Sequence, residues 1–337
     1  MNLAANQSQK VFTVPVAGGG MMMNDSAIGS GMAFLTGELE KRDPRLLEPL
    51  NSVTWMRDIV AKTGGGWVEF TSNTFVDYAT TGGNESGIIG GETNDIPIMQ
   101  ANTQKDVWKV FTFANILKVP FVDQAKLQNI GRSLDDILDK GIRLNYNKSI
   151  DNLVYSGLPA MGVYGLVNNP DVVTSAAPNG ASGKSEWSSK TPDEILDDIN
   201  SLIVETWEAS EYDLTGMANH ILIPPNQYAF LVGRKVSDAG NISILQFLME
   251  NNIARNQGVD LVIAPSRWCT AAGTGGKDRI VAYVNEEDRI NFDLPVPLSR
   301  VMTQPQVTEM AYLTAYAAQL GQVKVLYNSC IRYMDGI

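Results

Sequence analysis

The sequence predicts an α+β fold, and three stretches of the chain carry that prediction. Two strand-like runs between residues 67 and 120 are separated by a glycine-rich turn and indicate a long hairpin. A helix of about six turns is expected from Ser133. After residue 191, apolar strands alternate with amphipathic helices, which indicates a compact mixed domain. With 337 residues the chain can build about two packing units.

The first 60 residues are predicted to form an arm. Residues 2–37 are rich in Gly, Met, Asn and Ser and show neither the helix period nor the strand period. Such a segment cannot bury enough apolar surface to offset the entropy of ordering it. We therefore expect it to be disordered or laid against another subunit.

The hairpin is predicted to follow three glycines at positions 64–66. Its first strand covers residues 67–78, and its return strand covers residues 107–120. Half of the residues from 82 to 91 are glycine, which indicates a flexible tip between the two strands.

The return strand of this hairpin is apolar on both faces. Val107, Phe111 and Phe113 alternate with Trp108 and Val110. A lone hairpin is barely stable in water and cannot cover two apolar faces by itself. Either another chain covers it or it belongs to an ordinary sheet buried within one monomer, and the sequence leaves both possibilities open.

The long helix is predicted from Ser133 to Val154. Ser133 suits the N-cap position, and Asp135 and Asp136 follow where the helix dipole favours anions. The apolar residues of its two halves differ in direction by about a quarter turn, so the helix should contact different neighbours along its length. A glycine-rich segment, residues 157–170, is expected to end it.

A second helix carries the clearest local signal in the chain. Residues 191–194 form a capping box with proline at the first helical position. The apolar face that follows consists of Ile195, Leu196, Ile199, Leu202, Ile203 and Trp207. Eight acidic residues and no basic ones lie between residues 191 and 213, so the opposite face is predicted to be solvated and acidic.

The remaining part of the chain predicts short elements. Strands are expected at residues 220–224, 259–264, 279–284 and 323–327, a helix or turn at residues 225–231 and a helix at residues 243–252. Residues 311–320 are compatible with either a helix or a strand.

The composition excludes several classes of function. Lys and Arg number 26 against 37 Asp and Glu, and the net charge of −11 disfavours binding to nucleic acid or to anionic membranes. Residues 1–10 lack the pattern of a signal peptide, and no run of 18 apolar residues occurs. Cys269 and Cys330 have no metal-ligand spacing and are expected to be buried thiols in a reducing compartment.

No stretch of the sequence predicts catalysis. His220, the single histidine, begins an apolar strand with no ligand or base at a useful spacing, so a structural role is expected. Residues 272–278 differ from a phosphate-binding loop at the first glycine and after the lysine. Adjacent carboxylates such as Asp197 and Asp198 are interpreted as solvated surface. We expect no catalytic residue, no metal ligand and no cofactor, and hence no enzyme.

The order of these elements resembles the major capsid proteins of tailed bacteriophages, which have the Hong Kong 97 type of fold. The most specific part is Leu166-Val167-Asn168-Asn169-Pro170 after the long helix, and residues 221–228 also resemble phage capsid sequences. The resemblance covers nearly the whole chain.

The resemblance implies a division into five regions and a set of subunit contacts. The regions are an N-terminal arm at 1–60, an extended loop and its base at 61–120, a spine helix with the first part of a peripheral domain at 121–191, an axial domain at 192–293 and a returning β segment of the peripheral domain at 294–337. The extended loop would overlie a neighbouring subunit. From position alone, the inter-subunit contacts are assigned to Trp67, Phe70, Phe75, Tyr78, Val107, Trp108, Phe111 and Phe113.

The implied function is that of a capsid subunit that assembles through pentameric and hexameric capsomers into an icosahedral head around double-stranded DNA. Its expected partners are further copies of itself and portal, scaffolding or decoration proteins, without sequence-specific DNA binding and without a membrane. Assembly is expected in the cytoplasm of the bacterial host, and the final location is the virion.

Two departures from the family and three rival functions remain. No helical scaffolding segment precedes Lys41, and no lysine lies between Lys62 and Lys105 to cross-link neighbours through the hairpin. The rivals are the shell protein of an encapsulin-like nanocompartment, a soluble metal-dependent α/β enzyme, and a decoration or adhesin protein.

Overall fold

The structure, a computed structural model, describes residue 49 and residues 52–82, 96–129, 133–237 and 241–337. Most of the predicted arm therefore lies outside the described residues, and so does the glycine-rich tip of the hairpin beyond residue 82. The described residues from Ser52 to Ile337 belong to one compact unit.

Helices of very different lengths occur in these residues. They are α1 (Trp55–Asp58), α2 (Phe121–Asn129), α3 (Leu134–Tyr155), α4 (Pro192–Ala209), α5 (Pro225–Gly233), α6 (Ile244–Asn251) and α7 (Ile253–Asn256).

The strands fall into a hairpin region, a central group and a C-terminal group. They are β1 (Val60–Thr63), β2 (Phe70–Thr81), β3 (Ile98–Lys109), β4 (Phe111–Pro120), β5 (Gly157–Leu158), β6 (Val163–Tyr164), β7 (Thr174–Ala176), β8 (His220–Ile223), β9 (Val262–Pro265), β10 (Arg279–Tyr283), β11 (Ile290–Leu294), β12 (Val296–Gln306), β13 (Ala311–Leu320), β14 (Val323–Val325) and β15 (Ile331–Asp335).

Three larger sheets and two two-stranded ones join these strands. The five-stranded sheet has the order β7-β15-β10-β8-β9, and two three-stranded sheets have the orders β1-β11-β14 and β12-β13-β4. The hairpin β2-β3 and the short pair β5-β6 complete the described sheets. Mixed sheets and separate helices confirm the α+β prediction.

The five-stranded sheet separates two hydrophobic cores. Along β10, Val281 and Tyr283 pack in the first core, whereas Ile280 and Ala282 pack in the second. Successive side chains of a strand point to opposite faces, so a strand covered on both sides is expected to be mainly apolar. All five residues of β10 are buried, and its one charged residue, Arg279, forms an ion pair with Asp335.

The second core is closed by α4, whose start agrees with the prediction. Thr191 accepts a hydrogen bond from the amide of Glu194, and the Glu194 carboxylate accepts one from the amide of Thr191. The predicted apolar face is buried or half-buried against the sheet. The prediction of an entirely solvated acidic face is wrong at Asp198, which is buried. Its Oδ2 accepts hydrogen bonds from Lys190 Nζ at 2.5 Å and from Trp187 Nε1 at 2.9 Å.

The long helix α3 contacts two different neighbours, as its sequence predicts. It begins after Ser133, whose hydroxyl accepts a hydrogen bond from the amide of Asp136. Ile142 packs in a small third core against β4 and β13, whereas Ile150 and Leu153 pack in the first core. The helix therefore lies across two packing units.

The segment after α3 is fixed by one asparagine side chain. Asn168 Oδ1 accepts from the Gly165 amide at 2.8 Å, and Asn168 Nδ2 donates to the Ser156 carbonyl at 2.8 Å. A side chain at Gly165 would collide with the backbone of Tyr155, so the chain needs glycine there. The turn places Leu166 in the first core.

The structure has two strands, β3 and β4, where the sequence predicted one return strand, and they belong to different sheets. β3 pairs with β2 from Phe70 opposite Lys109 to Thr81 opposite Ile98. After Val110 the chain enters β4, which pairs with β13 over its whole length. A single apolar run therefore joins the projecting hairpin to the body of the molecule.

Two segments differ from the regions that the resemblance implies. Residues 52–60, expected in the arm, include Trp55 and Ile59, which are buried in the first core at a spacing of one helical turn. In the segment 294–337, β15 joins β10 and β7 in the five-stranded sheet rather than β12 or β13. Core packing decides the first placement and long-range strand pairing the second.

Candidate assembly surfaces

Three glycines and one side-chain contact join the β2-β3 hairpin to the body. Gly64, Gly65 and Gly66 all have positive φ, a conformation that glycine adopts without strain. Gln319 then accepts from the Val68 amide and donates to the Val68 carbonyl, both at 2.9 Å. The Gln319 side chain thus imitates one step of a β-ladder.

Alternate residues of β2 face the body. Lys324 Nζ donates to Asn73 Oδ1 at 3.1 Å and forms an ion pair with Asp293. Phe75 packs edge-on against Tyr327, with ring centroids 6.1 Å apart. These contacts hold the base of the hairpin and leave its outer half to project.

The opposite face of β2 is exposed and carries apolar side chains. Tyr78 has 70% of its surface exposed and Phe70 has 57%. Val76 lies between them on the same face and is also exposed. Since twelve-residue strands reach about 40 Å, the outer part of the hairpin lies beyond the cover of its own core.

The structure divides the eight predicted contact residues into two groups. Trp67, Phe70, Tyr78 and Val107 are exposed, while Phe75, Trp108, Phe111 and Phe113 are half-buried.

The half-buried residues contact the same chain. Phe113 packs on Tyr146 of α3 with ring centroids 5.5 Å apart, and Phe75 packs on Tyr327. Their apolar character is therefore explained at least in part by the fold of one subunit. Of the two possibilities that the sequence left open, the intramolecular one applies to Phe75 and Phe113, whereas Phe70 and Tyr78 are exposed in the single chain.

Sequence reasoning missed part of the exposed apolar surface on β3. Ile96, Ile98 and Met99 are all strongly exposed at the start of this strand. The prediction placed the return strand at residue 107, although the apolar cluster Ile96-Pro97-Ile98-Met99 directly after the glycine-rich stretch was a usable signal.

A second exposed apolar patch lies at the tip of the β12-β13 hairpin and was also missed. Val307 is 86% exposed, and Met310, Tyr312 and Phe121 are exposed beside it. These residues line a hollow of about 320 Å³. Apolar surface of this kind commonly marks an interaction site.

The buried side chains of Asp58 and His220 belong to one hydrogen-bonded cluster. Asp58 is fully buried and accepts hydrogen bonds from Arg57 Nε at 2.5 Å and from the Tyr155 hydroxyl, and His220 Nε2 lies 3.3 Å from its carboxylate. The Tyr283 hydroxyl donates to the backbone carbonyl of Asp58. His220 thus lies in a buried network that fastens α1 to α3 and β8.

The loop that resembles a phosphate-binding loop holds a carboxylate of its own chain. The amide and hydroxyl of Thr274 donate to Asp335 Oδ2 at 2.8 and 3.0 Å. Arg279 makes a two-point ion pair with the same carboxylate at 2.7 and 2.9 Å. Burial opposes ionisation of Asp335, but these partners outweigh it and lower its pKa. The donors of this loop are therefore used within the chain.

The two cysteines are buried and unpaired with each other. Burial raises the pKa of Cys269 to about 12 and raises the pKa of Cys330, so both are thiols at neutral pH. Within the described residues no cluster of His, Cys, Asp and Glu could hold a metal ion. None of the helices in this part of the chain has the length and apolar character that a bilayer crossing demands.

The hairpin projects with an exposed apolar face, and the buried charges of the body are paired with one another. These features are typical of a structural subunit that associates with other chains. Comparison with protein families supplies the identity. The sequence model of the major capsid protein family matches residues 84–337, and the chain belongs to that family. It is a structural, non-enzymatic capsid subunit of a phage head, and it is part of the virion.

Solved structures support the same fold at low sequence identity. The capsid of Myoviridae phage XM1 superposes with a TM-score of 0.73 at 17% identity, over 95% of this chain and 100% of that chain. A structure from Microbacterium phage Oxtober96 superposes with a TM-score of 0.60 at 12% identity, over 92% of this chain and 99% of that chain. The capsid of an empty GTA particle superposes with a TM-score of 0.59 at 13% identity, over 93% of this chain and 99% of that chain. The Hong Kong 97 type of fold is therefore confirmed. Curated protein sequences give no significant match.

Proposed function

We propose that this chain builds an icosahedral phage head by self-assembly through pentameric and hexameric capsomers, with the exposed face of the β2-β3 hairpin as its main contact. The observation that carries the proposal is the apolar face formed by Phe70, Val76 and Tyr78, which projects beyond the core of its own chain. Burying one large apolar side chain contributes about 1.5–3 kcal/mol, so a repeated contact of this kind stabilises a shell.

The proposal gives each region a role in the shell. The hairpin between Trp67 and Phe113 is the extended loop over a neighbour, and α3 is the spine of the peripheral domain. The axial domain corresponds to about residues 192–293 together with β15 and β7, because these strands complete its five-stranded sheet. The β12-β13-β4 sheet belongs to the peripheral domain.

The partners follow from charge and from the class of assembly. The chain carries a net charge of −11, which opposes binding to phosphate backbones, so the shell encloses double-stranded DNA without reading its sequence. Portal, scaffolding or decoration proteins complete the head. Assembly takes place in the cytoplasm of the bacterial host.

Electron microscopy of the full-length protein tests this function. We expect closed shells, or rings of five and six subunits, in negative stain and a matching fast component in sedimentation velocity. A monodisperse monomer or dimer, alone and after co-expression with the neighbouring phage head genes, would contradict it.

Substitution of one hairpin residue tests the contact itself. Tyr78→Asp should raise the protein concentration needed for assembly at least about tenfold, because it removes apolar burial worth more than about 1.4 kcal/mol per subunit. Tyr78 is a sharper target than Trp108 or Phe111, which are half-buried in their own chain.

The matched control is Tyr78→Phe, which keeps the ring and should assemble normally. Thermal unfolding of the unassembled subunits should be the same for both variants, since Tyr78 is exposed. Normal shells from Tyr78→Asp would exclude the hairpin face as a required contact.

A further inference from the structure

A long groove runs beside the base of the hairpin. Its volume is about 1080 Å³, and it lies between β2 and the sheet β1-β11-β14. Residues 70–76 of β2 and residues 62–65 line it. Asn291 and Asp293 of β11 also line it. Typical small-molecule pockets have volumes of about 300–1,000 Å³, so this groove is large for a small ligand.

The groove follows the open edge of β2. Seven consecutive residues line it, whereas a single face of a strand would contribute only alternate ones. Among the described residues β2 pairs with β3 alone, which occupies its other edge. A separate hollow of about 350 Å³, lined by Asp106 and Trp108, flanks the β3 side. The amides and carbonyls on the groove side of β2 are thus available as a template for another strand.

The walls of the groove also leave hydrogen-bonding capacity unused. Thr71 Oγ1, Asn291 Oδ1 and Arg289 Nε are buried and have no hydrogen-bond partner within the described residues. All three residues line the groove. An unpaired buried polar atom destabilises the folded chain, so a polar occupant that repacks this wall would be favoured.

We propose that an extended segment of a neighbouring copy of this chain lies in the groove and adds a strand to the open edge of β2. Seven residues of β2 offer about 23 Å, which accommodates an extended segment of similar length. The inference rests on the proposed function and deepens it, since it assigns main-chain pairing to a contact so far described by apolar side chains.

Continuity with the hairpin face favours a second copy as the occupant. Phe70 and Val76 line the groove and also belong to the exposed apolar face proposed for assembly. A neighbour that covers this face is therefore brought to the opening of the groove. The shell of a capsid family member places identical chains side by side, so the local concentration of such segments is high.

Photo-cross-linking in assembled shells identifies the occupant. Thr74 lines the groove and is exposed, so it can be replaced by the photoreactive residue p-benzoylphenylalanine. The same probe at Thr103, on β3 and outside the groove, is the matched control. We expect Thr74 to capture a peptide of a second copy that Thr103 does not capture. Cross-links confined to one chain, or capture of a different protein, would overturn the proposal.

Hydrogen exchange measures the predicted strand pairing without a substitution. Amides of residues 70–76 that are open in free subunits should exchange at least about tenfold more slowly in shells, because they become hydrogen-bonded. Equal exchange in shells and free subunits would refute the inference and leave the proposed function intact. Failure to form any shell would refute both the inference and the proposed function, so the two kinds of failure can be distinguished.

Discussion

Asp58 shows how one buried carboxylate ties distant segments together. Burial alone would raise its pKa, but hydrogen bonds from His220, Arg57 and Tyr155 outweigh burial and lower the pKa below the ordinary value of 3.8. Its partners come from α1, α3 and β8, which are far apart in sequence. A charged group is tolerated here because each carboxylate oxygen has donors.

Replacing Asp58 by asparagine tests this network. Asp58→Asn should lower the free energy of unfolding of the free subunit by about 2–3 kcal/mol at pH 7, because a neutral amide replaces the buried carboxylate that accepts hydrogen bonds from Arg57 and Tyr155. Asp139→Asn is the control, since Asp139 also has a lowered pKa, caused first by its hydrogen bond from Arg143, but lies at the surface. It should cost less than about 1 kcal/mol. Urea unfolding measures both, and equal losses would contradict the interpretation.

The pH dependence of the Asp58 effect has a definite sign. A carboxylate with a lowered folded pKa contributes stability above its unfolded pKa and loses it as the pH falls through the folded value. The difference between the wild type and Asp58→Asn should therefore be constant from pH 7 to about pH 5 and should shrink below the ordinary value of 3.8. Unfolding curves at several pH values provide the check, and a difference that grows on acidification would be inconsistent.

At the scale of elements, the end of α3 depends on a side chain rather than on helix propensity. The Asn168 side chain bonds the Gly165 amide and the Ser156 carbonyl, whereas the side chain of the next residue, Asn169, accepts an exposed hydrogen bond from the amide of Asp171. The two asparagines are adjacent and chemically identical. Their different environments provide a matched comparison.

Alanine substitutions at these two positions should have unequal effects. Asn168→Ala should destabilise the free subunit by about 2 kcal/mol, because two partly buried backbone groups lose their partner. Asn169→Ala should cost less than about 1 kcal/mol, since its bond is exposed to water. Thermal or urea unfolding distinguishes them, and an effect of Asn169→Ala as large as that of Asn168→Ala would show that the turn is not held in this way.

At the scale of the whole molecule, the hairpin projects from a body whose five-stranded sheet is packed on both faces. The five-stranded sheet shares its faces between two cores, so damage there should affect global stability. The hairpin is held by Gln319, by the Lys324 contacts and by Phe75, so damage there should stay local. Segments with few buried contacts open independently of the core.

Removing the Gln319 clamp tests this separation. Gln319→Leu deletes both bonds to Val68, so amides of β2 should exchange faster while the unfolding free energy falls by no more than about 2 kcal/mol. Gln304→Leu is the control, because Gln304 is exposed on β12 of the adjoining sheet. Faster exchange throughout the body, or an unchanged hairpin, would show that Gln319 does not act as a local clamp.

Local signals in the sequence determined the start of each long helix and most of the strands. Ser133 and the Thr191/Glu194 capping box were correctly assigned, because a cap is a contact between residues three positions apart. The strand at His220 was recognised from its apolar run for a similar reason. The order of such elements was also enough for the resemblance to phage capsid proteins.

Tertiary structure alone decided which apolar and charged residues turn inward. Alternation along the hairpin shows two faces but not which one meets the body, so Phe113 and Phe75 were assigned to a neighbour although they contact their own chain. Asp58 becomes buried only when segments remote in sequence, among them the strand that carries His220, pack around it. Such contacts depend on the three-dimensional pairing of distant segments, and no local pattern of residues encodes that pairing.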